Sequence, residues 1–139
     1  MKNQYSFGKT VDMNFNEAVE RVTASLQIEG FDVLTDIDIA ATLKKKLDKN
    51  MPPSRLLGAC HATLASRALD SEPSIGLLLP CNVVVRQDTR NRVHVEFMDP
   101  VAMMDMVDNP NTTLLAEEVR RKLERVMLGL EPTQYSKSA

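Results

Sequence analysis

The stretch that decides the fold is Ile75-Gly76-Leu77-Leu78-Leu79-Pro80-Cys81-Asn82-Val83-Val84-Val85. On either side of Pro80 the residues are nearly all apolar, without the polar alternation of a strand that wets one face. Short runs of this kind suit strands in the interior of a sheet. Pro80 has no amide hydrogen to give to a ladder, so it marks a break, bulge or edge between them. The spacing predicts strands over 75–79 and 81–85. Downstream, Asp88 to Asn91 has the composition of a turn, and Val93, Val95 and Phe97 then alternate with Arg92, His94 and Glu96. That alternation is a half-exposed strand.

Working upstream, Arg55 to Ala59 reads as another strand. Ala62 to Leu69 follows as a helix with Leu64, Ala65, Ala68 and Leu69 turned inward, ended by Glu72-Pro73. Phe31, Val33 and Ile37 share one parity and Asp32, Asp36 and Asp38 the other, which predicts a strand with one wet side. Asp38 is placed to cap a short helix from Ile39 to about Leu47, and Met51-Pro52-Pro53 is a stiff connector. Nearer the start, Tyr5, Phe7 and Val11 suggest a first strand. Asn14 to Glu17 has the spacing of a capping box, ahead of a helix that buries Phe15, Ala18, Val19, Val22 and Leu26 and closes at Gly30.

Beyond Asp99-Pro100 comes an irregular methionine-rich segment. Asn109-Pro110-Asn111-Thr112 then leads into the longest helix, with Leu115, Val119, Leu123, Val126, Met127 and Leu130 on its buried stripe. Glu117 with Arg121, and Glu118 with Lys122, are favourable i,i+4 pairs on the opposite face. The elements sum to an α+β fold: a mainly antiparallel or mixed sheet with one polar face and helices packed on the other. A single domain over residues 1–130 and a flexible tail over 131–139 are expected.

Bulk properties exclude several classes. A chain of 139 residues has room for one core of ordinary size. Its 43% apolar content is that of a globular protein, and a net charge of −2 creates no field for nucleic acid or anionic membrane. Lys44-Lys45-Lys46 reads as the wet side of a short helix. Met1 to Tyr5 has no apolar run behind it, and no stretch approaches the roughly 20 apolar residues of a spanning helix. A cytoplasmic location without membrane or nucleic-acid partners is expected, with Cys60 and Cys81 as reduced thiols.

Several strings carry a resemblance: Thr42-Leu43-Lys44-Lys45-Lys46-Leu47, Leu57-Gly58-Ala59-Cys60, Leu64-Ala65 with Ala68-Leu69, the segment Gly76 to Val85, and Met98-Asp99-Pro100. In this order they resemble the signature of a bacterial and archaeal family known as domain of unknown function 302, from about residue 1 to about residue 130. The resemblance implies a TATA-binding-protein-like fold, a curved and mainly antiparallel sheet with helices on one face and a β-α-β(4)-α core. It does not imply nucleic-acid binding, since folds of this kind host unrelated functions. It brings no activity, cofactor or catalytic residue. Members often read Gly-Ala-Cys-Asn-Pro, whereas His61 and Ala62 follow Cys60 here, so any role of that Asn-Pro pair does not carry over.

Cys60 is the first candidate for chemistry. It sits where a strand hands over to a helix, and the helix dipole with the neighbouring His61 would favour thiolate. The competing reading is a small hydrophobe in the core. Cys81 follows Pro80 in an apolar strand, and would matter if it lay beside Cys60. Zinc-type ligation by Cys60, His61, Cys81 and His94 lacks any CxxC or HxxxH spacing, so no metal is expected. Met98, Met103, Met104 and Met106 are better gap-fillers than a Cu(I) site. Asp32, Asp36 and Asp38 are better wet surface than a hard-cation site. Gly58-Ala59-Cys60 before a helix gives one glycine toward an anion cradle, which is slight support.

With no serine elbow, phosphate loop or dinucleotide fingerprint, the leading expectation is a non-catalytic binding module that self-associates, as a homodimer, through its sheet or an edge strand. The alternative is a thiol-redox or soft-metal-binding protein using Cys60, His61 and Cys81. Ligand and cofactor are not identifiable from the residues.

Overall fold

Residues 3–130 are described by the computed structural model. Chain order is β1 (Ser6–Val11), α1 (Phe15–Ile28), β2 (Asp32–Asp38), α2 (Ile39–Leu47), β3 (Ser54–Cys60), α3 (Ala62–Ser71), a 3₁₀ helix (Pro73–Leu78), β4 (Cys81–Gln87), β5 (Val93–Met98), α4 (Pro100–Met104) and α5 (Pro110–Leu128). The five strands form one sheet in the order β1-β5-β4-β3-β2, with every neighbouring pair antiparallel. With the two long helices, the frame is β-α-β(4)-α and the class is α+β.

Helix boundaries follow from their caps. Asn14 Oδ1 accepts from the Glu17 amide at 2.8 Å, and Gly30 takes the left-handed conformation (φ 89°) that lets the chain leave α1 for β2. Asp38 opens α2 by accepting from the Ala41 amide at 2.8 Å. Asp99 opens α4 the same way, and Asn109 opens α5 with Pro110 at its first position.

One face of the sheet is the floor of the main core. Phe97 faces Phe7 and Val83 in register, and Val83 faces Leu57; Phe97, Val83 and Leu57 are fully buried. Ala18, Val22 and Leu26 of α1, with Leu123 and Val126 of α5, close over this floor, and Leu130 completes it. The Ser25 hydroxyl donates to the Val126 carbonyl at 3.1 Å, which locks the two helices together. A second, smaller cluster of Ala68, Ile75, Met104 and Ala116 joins α3, the 3₁₀ helix, α4 and the first half of α5.

Four expectations change. Residues 75–79 are not a strand: Pro73 starts a 3₁₀ helix in which Ile75 and Leu78, three apart, face the second cluster while Leu77 is exposed. The parity of β2 breaks at a bulge between Val33 and Thr35, where Leu34 is the extra residue. Past the bulge Asp36 and Asp38 lie on the helix-bearing side, opposite Leu57 and Arg55, while Ile37 moves to the other face, opposite Leu56. The methionine-rich segment contains the short helix α4. In α3, Leu69 is 40% exposed rather than buried. The predicted tail, 131–139, lies outside the described residues.

Candidate functional site: an apolar cavity and an uncovered sheet face

The handover from β3 to α3 makes one corner of a small cavity. His61 is the residue before α3, and its Nδ1 accepts from the Leu64 amide at 3.4 Å. An imidazole nitrogen that accepts carries no proton, so this cap selects the Nε2–H tautomer. The ring stands edge-on to Phe31, with centroids 5.4 Å apart, and its Nε2 lies 2.9 Å from where a side chain on Gly30 would begin. The imidazole thus ties the start of α3 to the turn between α1 and β2.

Behind it, an apolar cavity of about 40 Å³ lies where the two clusters meet. Cys60, His61 and Cys81 all line it, with Ile75 and Met104 of the second cluster and Val119 of α5. The three residues singled out in the sequence are therefore brought together. Their chemistry differs from the expectation. Ala59 lies directly opposite Cys81, and alternation along β3 turns Cys60 to the other face, where it pairs with Asp32.

Both cysteines are free. Burial, with the Asp32 carboxylate adding to it, pushes the Cys60 thiol up rather than down. Burial, with the nearby Cys60 adding to it, pushes Cys81 up to about 11. The helix start does not lower the Cys60 thiol here: burial and the Asp32 carboxylate outweigh it, and His61 Nδ1 faces the α3 amide.

The other candidates disperse. His94 lies across the sheet in β5, where Nδ1 meets Thr10 Oγ1 at 3.1 Å and Nε2 meets Asp88 Oδ2 at 2.8 Å. Met104 is buried in the second cluster while Met106 is 68% exposed, so their sulfurs share no site. Asp36 pairs with Arg55, whose Nε donates at 2.7 Å, and Asp38 caps α2. Asp36 is held below the usual carboxylate range chiefly by that hydrogen bond. Among the described residues no group of three or more His, Cys, Asp or Glu is placed to hold a metal ion. The Gly58 backbone is closed off by Thr35 and Pro80, which leaves no room for an anion cradle.

Three rows of side chains cross the sheet face away from the core, one of them Thr35, Gly58 and Asn82, with Pro80 close over Gly58. Ile37, Leu56 and Val84 stand side by side on β2, β3 and β4, and the row continues through Glu96 to Gly8. The next row runs Ser54, Arg86, His94, Thr10. Arg86 donates to Glu96 through Nε at 2.7 Å. The face thus has an apolar strip at its β2 end, where Ile37 is 46% exposed and Leu56 and Val84 are half-buried, and is polar toward β1. The polar face expected from the sequence holds toward β1, and the apolar strip was missed. Thr10 and Asp88 were legible as strand and turn residues, but their meeting with His94 depends on register.

A sequence profile described as domain of unknown function DUF302 matches residues 7–130. Among solved structures, an uncharacterized conserved DUF302 protein from Bacillus stearothermophilus superposes with a TM-score of 0.87 at 25% identity. The alignment covers 93% of this chain and all of that one. A search of curated proteins returned no match.

Proposed function

Because the chain belongs to the domain of unknown function DUF302 family, whose description names no reaction, we propose on physical grounds that it is a small non-catalytic binding module that pairs with a second copy of itself. The observation that carries this reading is the in-register row of Ile37, Leu56 and Val84 on the sheet face turned away from the main core. Contiguous apolar side chains on an open face gain free energy when a like surface removes them from water.

The face, rather than the edge of β2, is the contact we favour. Asp32, Asp36 and Asp38 and the bulge at Leu34 make β2 a poor template for strand addition. A stable pair needs about 800 Å² from each partner, so the contact would extend from this row toward Leu34. We take the sheet to curve as in TATA-binding-protein-like folds, and the homodimer to work in the cytoplasm without nucleic acid. Two unbridged thiols fit a reducing compartment. The arginines Arg86 and Arg55 are engaged by carboxylates rather than held ready for phosphates. Among the described residues, no helix is long and apolar enough to cross a membrane.

Val84→Glu tests the reading, because it places a charge in the middle of the row without touching the core. Light scattering should show the variant dissociating at concentrations where the parent stays paired. Equal masses for variant and parent at every dilution would reject the face as the contact.

One observation favours a second reading, a thiol or soft-metal protein: Cys60, His61 and Cys81 line a single cavity. It requires quick alkylation of Cys60 near neutral pH or metal found by elemental analysis. Slow labelling together with metal-free protein removes it.

A further inference from the structure

The polar half of that sheet face carries an arrangement that the binding reading does not use. Thr10 on β1 and His94 on β5 are cross-strand partners, and Asp88 opens the turn between β4 and β5. The Asp88 carboxylate is anchored from several sides. Oδ1 accepts from the backbone amides of Arg90 and Arg92 at 2.8 and 2.9 Å, and Oδ2 accepts from Arg92 Nε at 3.0 Å. Its hydrogen bond with His94, and then those amides, hold it well below the usual carboxylate range. In the neutral ring, the 2.8 Å contact with a carboxylate, which only accepts, places the His94 proton on Nε2. That leaves the Nδ1 lone pair facing Thr10 Oγ1 at 3.1 Å, and the hydroxyl donates to it.

A hydroxyl, an imidazole aimed at it and a buttressing carboxylate in line have the functional order of an acyl-transfer relay. Such relays are recognised by geometry and role rather than by chain order; here the two ring nitrogens exchange their usual duties. Thr10 is exposed, and its same-face neighbour two residues back is Gly8, which puts no side chain in the way. Both Thr10 and His94 open into a groove of about 870 Å³ that also takes in Tyr5, Arg86 and Glu96. The groove lies toward β1, away from the apolar row, so a partner on that row leaves it reachable.

We propose that Thr10 is a nucleophilic hydroxyl that accepts an acyl group from an activated acyl donor, with His94 as general base and Asp88 as the residue that positions it. Thr10 Oγ bonds to the donor's carbonyl carbon while its proton passes to His94 Nδ1. The bond from that carbon to the leaving oxygen then breaks with its electron pair, and the leaving oxygen takes the proton from His94. One ester is made on Thr10, one is broken in the donor, and the imidazole returns to its starting form. The inference is independent of self-association and of the cavity, and it replaces only the non-catalytic part of the binding reading.

The test uses the full chain and p-nitrophenyl acetate near neutral pH, following nitrophenol release and locating the acetyl group by peptide mass spectrometry. The expected result is one acetyl group per chain on Thr10. Thr10→Ser should keep the reaction and Thr10→Ala abolish it. His94→Gln, which keeps a polar side chain beside Thr10, should slow it about 100-fold, the lower end of what a positioned base supplies. Circular dichroism establishes that each variant is folded, and Thr10→Ser tests the site even if His94→Gln is not. Acetyl groups confined to lysines, or a Thr10 rate indifferent to His94→Gln, would overturn the proposal.

Discussion

Raising the pH should destabilise this protein through Cys81, and by an amount the structure sets. The Cys81 thiol is 8% exposed, directly opposite Ala59 on the core side of the sheet, and burial moves it from 9.0 up to about 11. The fold favours the neutral thiol. Between those two values the unfolded chain has released the proton while the folded chain still holds it. The unfolded state therefore binds fewer protons, and stability falls as pH rises. The contribution is whole below about pH 9 and is spent as pH passes about 11. Two pH units at about 1.4 kcal/mol each give a loss of about 3 kcal/mol, an upper figure because it takes the full shift. Urea unfolding followed by circular dichroism at steps across this range measures it. Tyrosine and lysine titrate in the same window, so the quantity compared is the difference between the parent and Cys81→Ala. That variant should lose a roughly constant amount below pH 9 and then draw level with, or pass, the parent. Cys60→Ala should keep the parent's steep decline, since the Cys60 thiol is only partly buried. Parallel curves for the parent and Cys81→Ala would refute the reasoning.

Two further outcomes follow from single contacts. Gly58→Ala would set a methyl group against Thr35 Oγ1 and 2.8 Å from Pro80 Cγ; the forced shift should cost about 1–3 kcal/mol in urea unfolding, and an unchanged midpoint would show that the contact is not there. His61→Ala removes the α3 cap; with its 3.4 Å bond the loss should sit at the low end of the usual range, about 0.5–1 kcal/mol, and His61→Asn should recover it, whereas equal stability of the two variants would deny the cap.

Much of the frame was legible because it rests on local rules. Asn14, Asp38 and Asn109 mark helix starts by side-chain chemistry alone, and the alternation of Val93, Val95 and Phe97 sets the face of β5. The failures have equally local causes. Four apolar residues and a glycine at 75–79 satisfy a period of two and a period of three alike. What decides is Pro73 at the start and the second cluster waiting for Ile75 and Leu78. The bulge at Leu34 comes without glycine or proline to announce it, so the parity of Asp36 and Ile37 was read from the wrong side of the shift.

At the site, residue type was legible and placement was not. Cys60, His61 and Cys81 do share a cavity, yet whether two thiols on adjacent strands face each other is a matter of register, which long-range pairing fixes. The same holds for Thr10 and His94, which are 84 positions apart in the chain. The apolar strip follows from the sheet order as well. Nothing local to Val84 says that Leu56 stands beside it.

The account rests most heavily on the claim that the Ile37, Leu56 and Val84 surface is covered by another copy. Sedimentation equilibrium of the unmodified chain across a wide range of concentrations tests it most directly. The predicted result is a mass twice the 15.5 kDa of one chain, falling toward the single-chain value only on strong dilution. A mass of one chain throughout would contradict it.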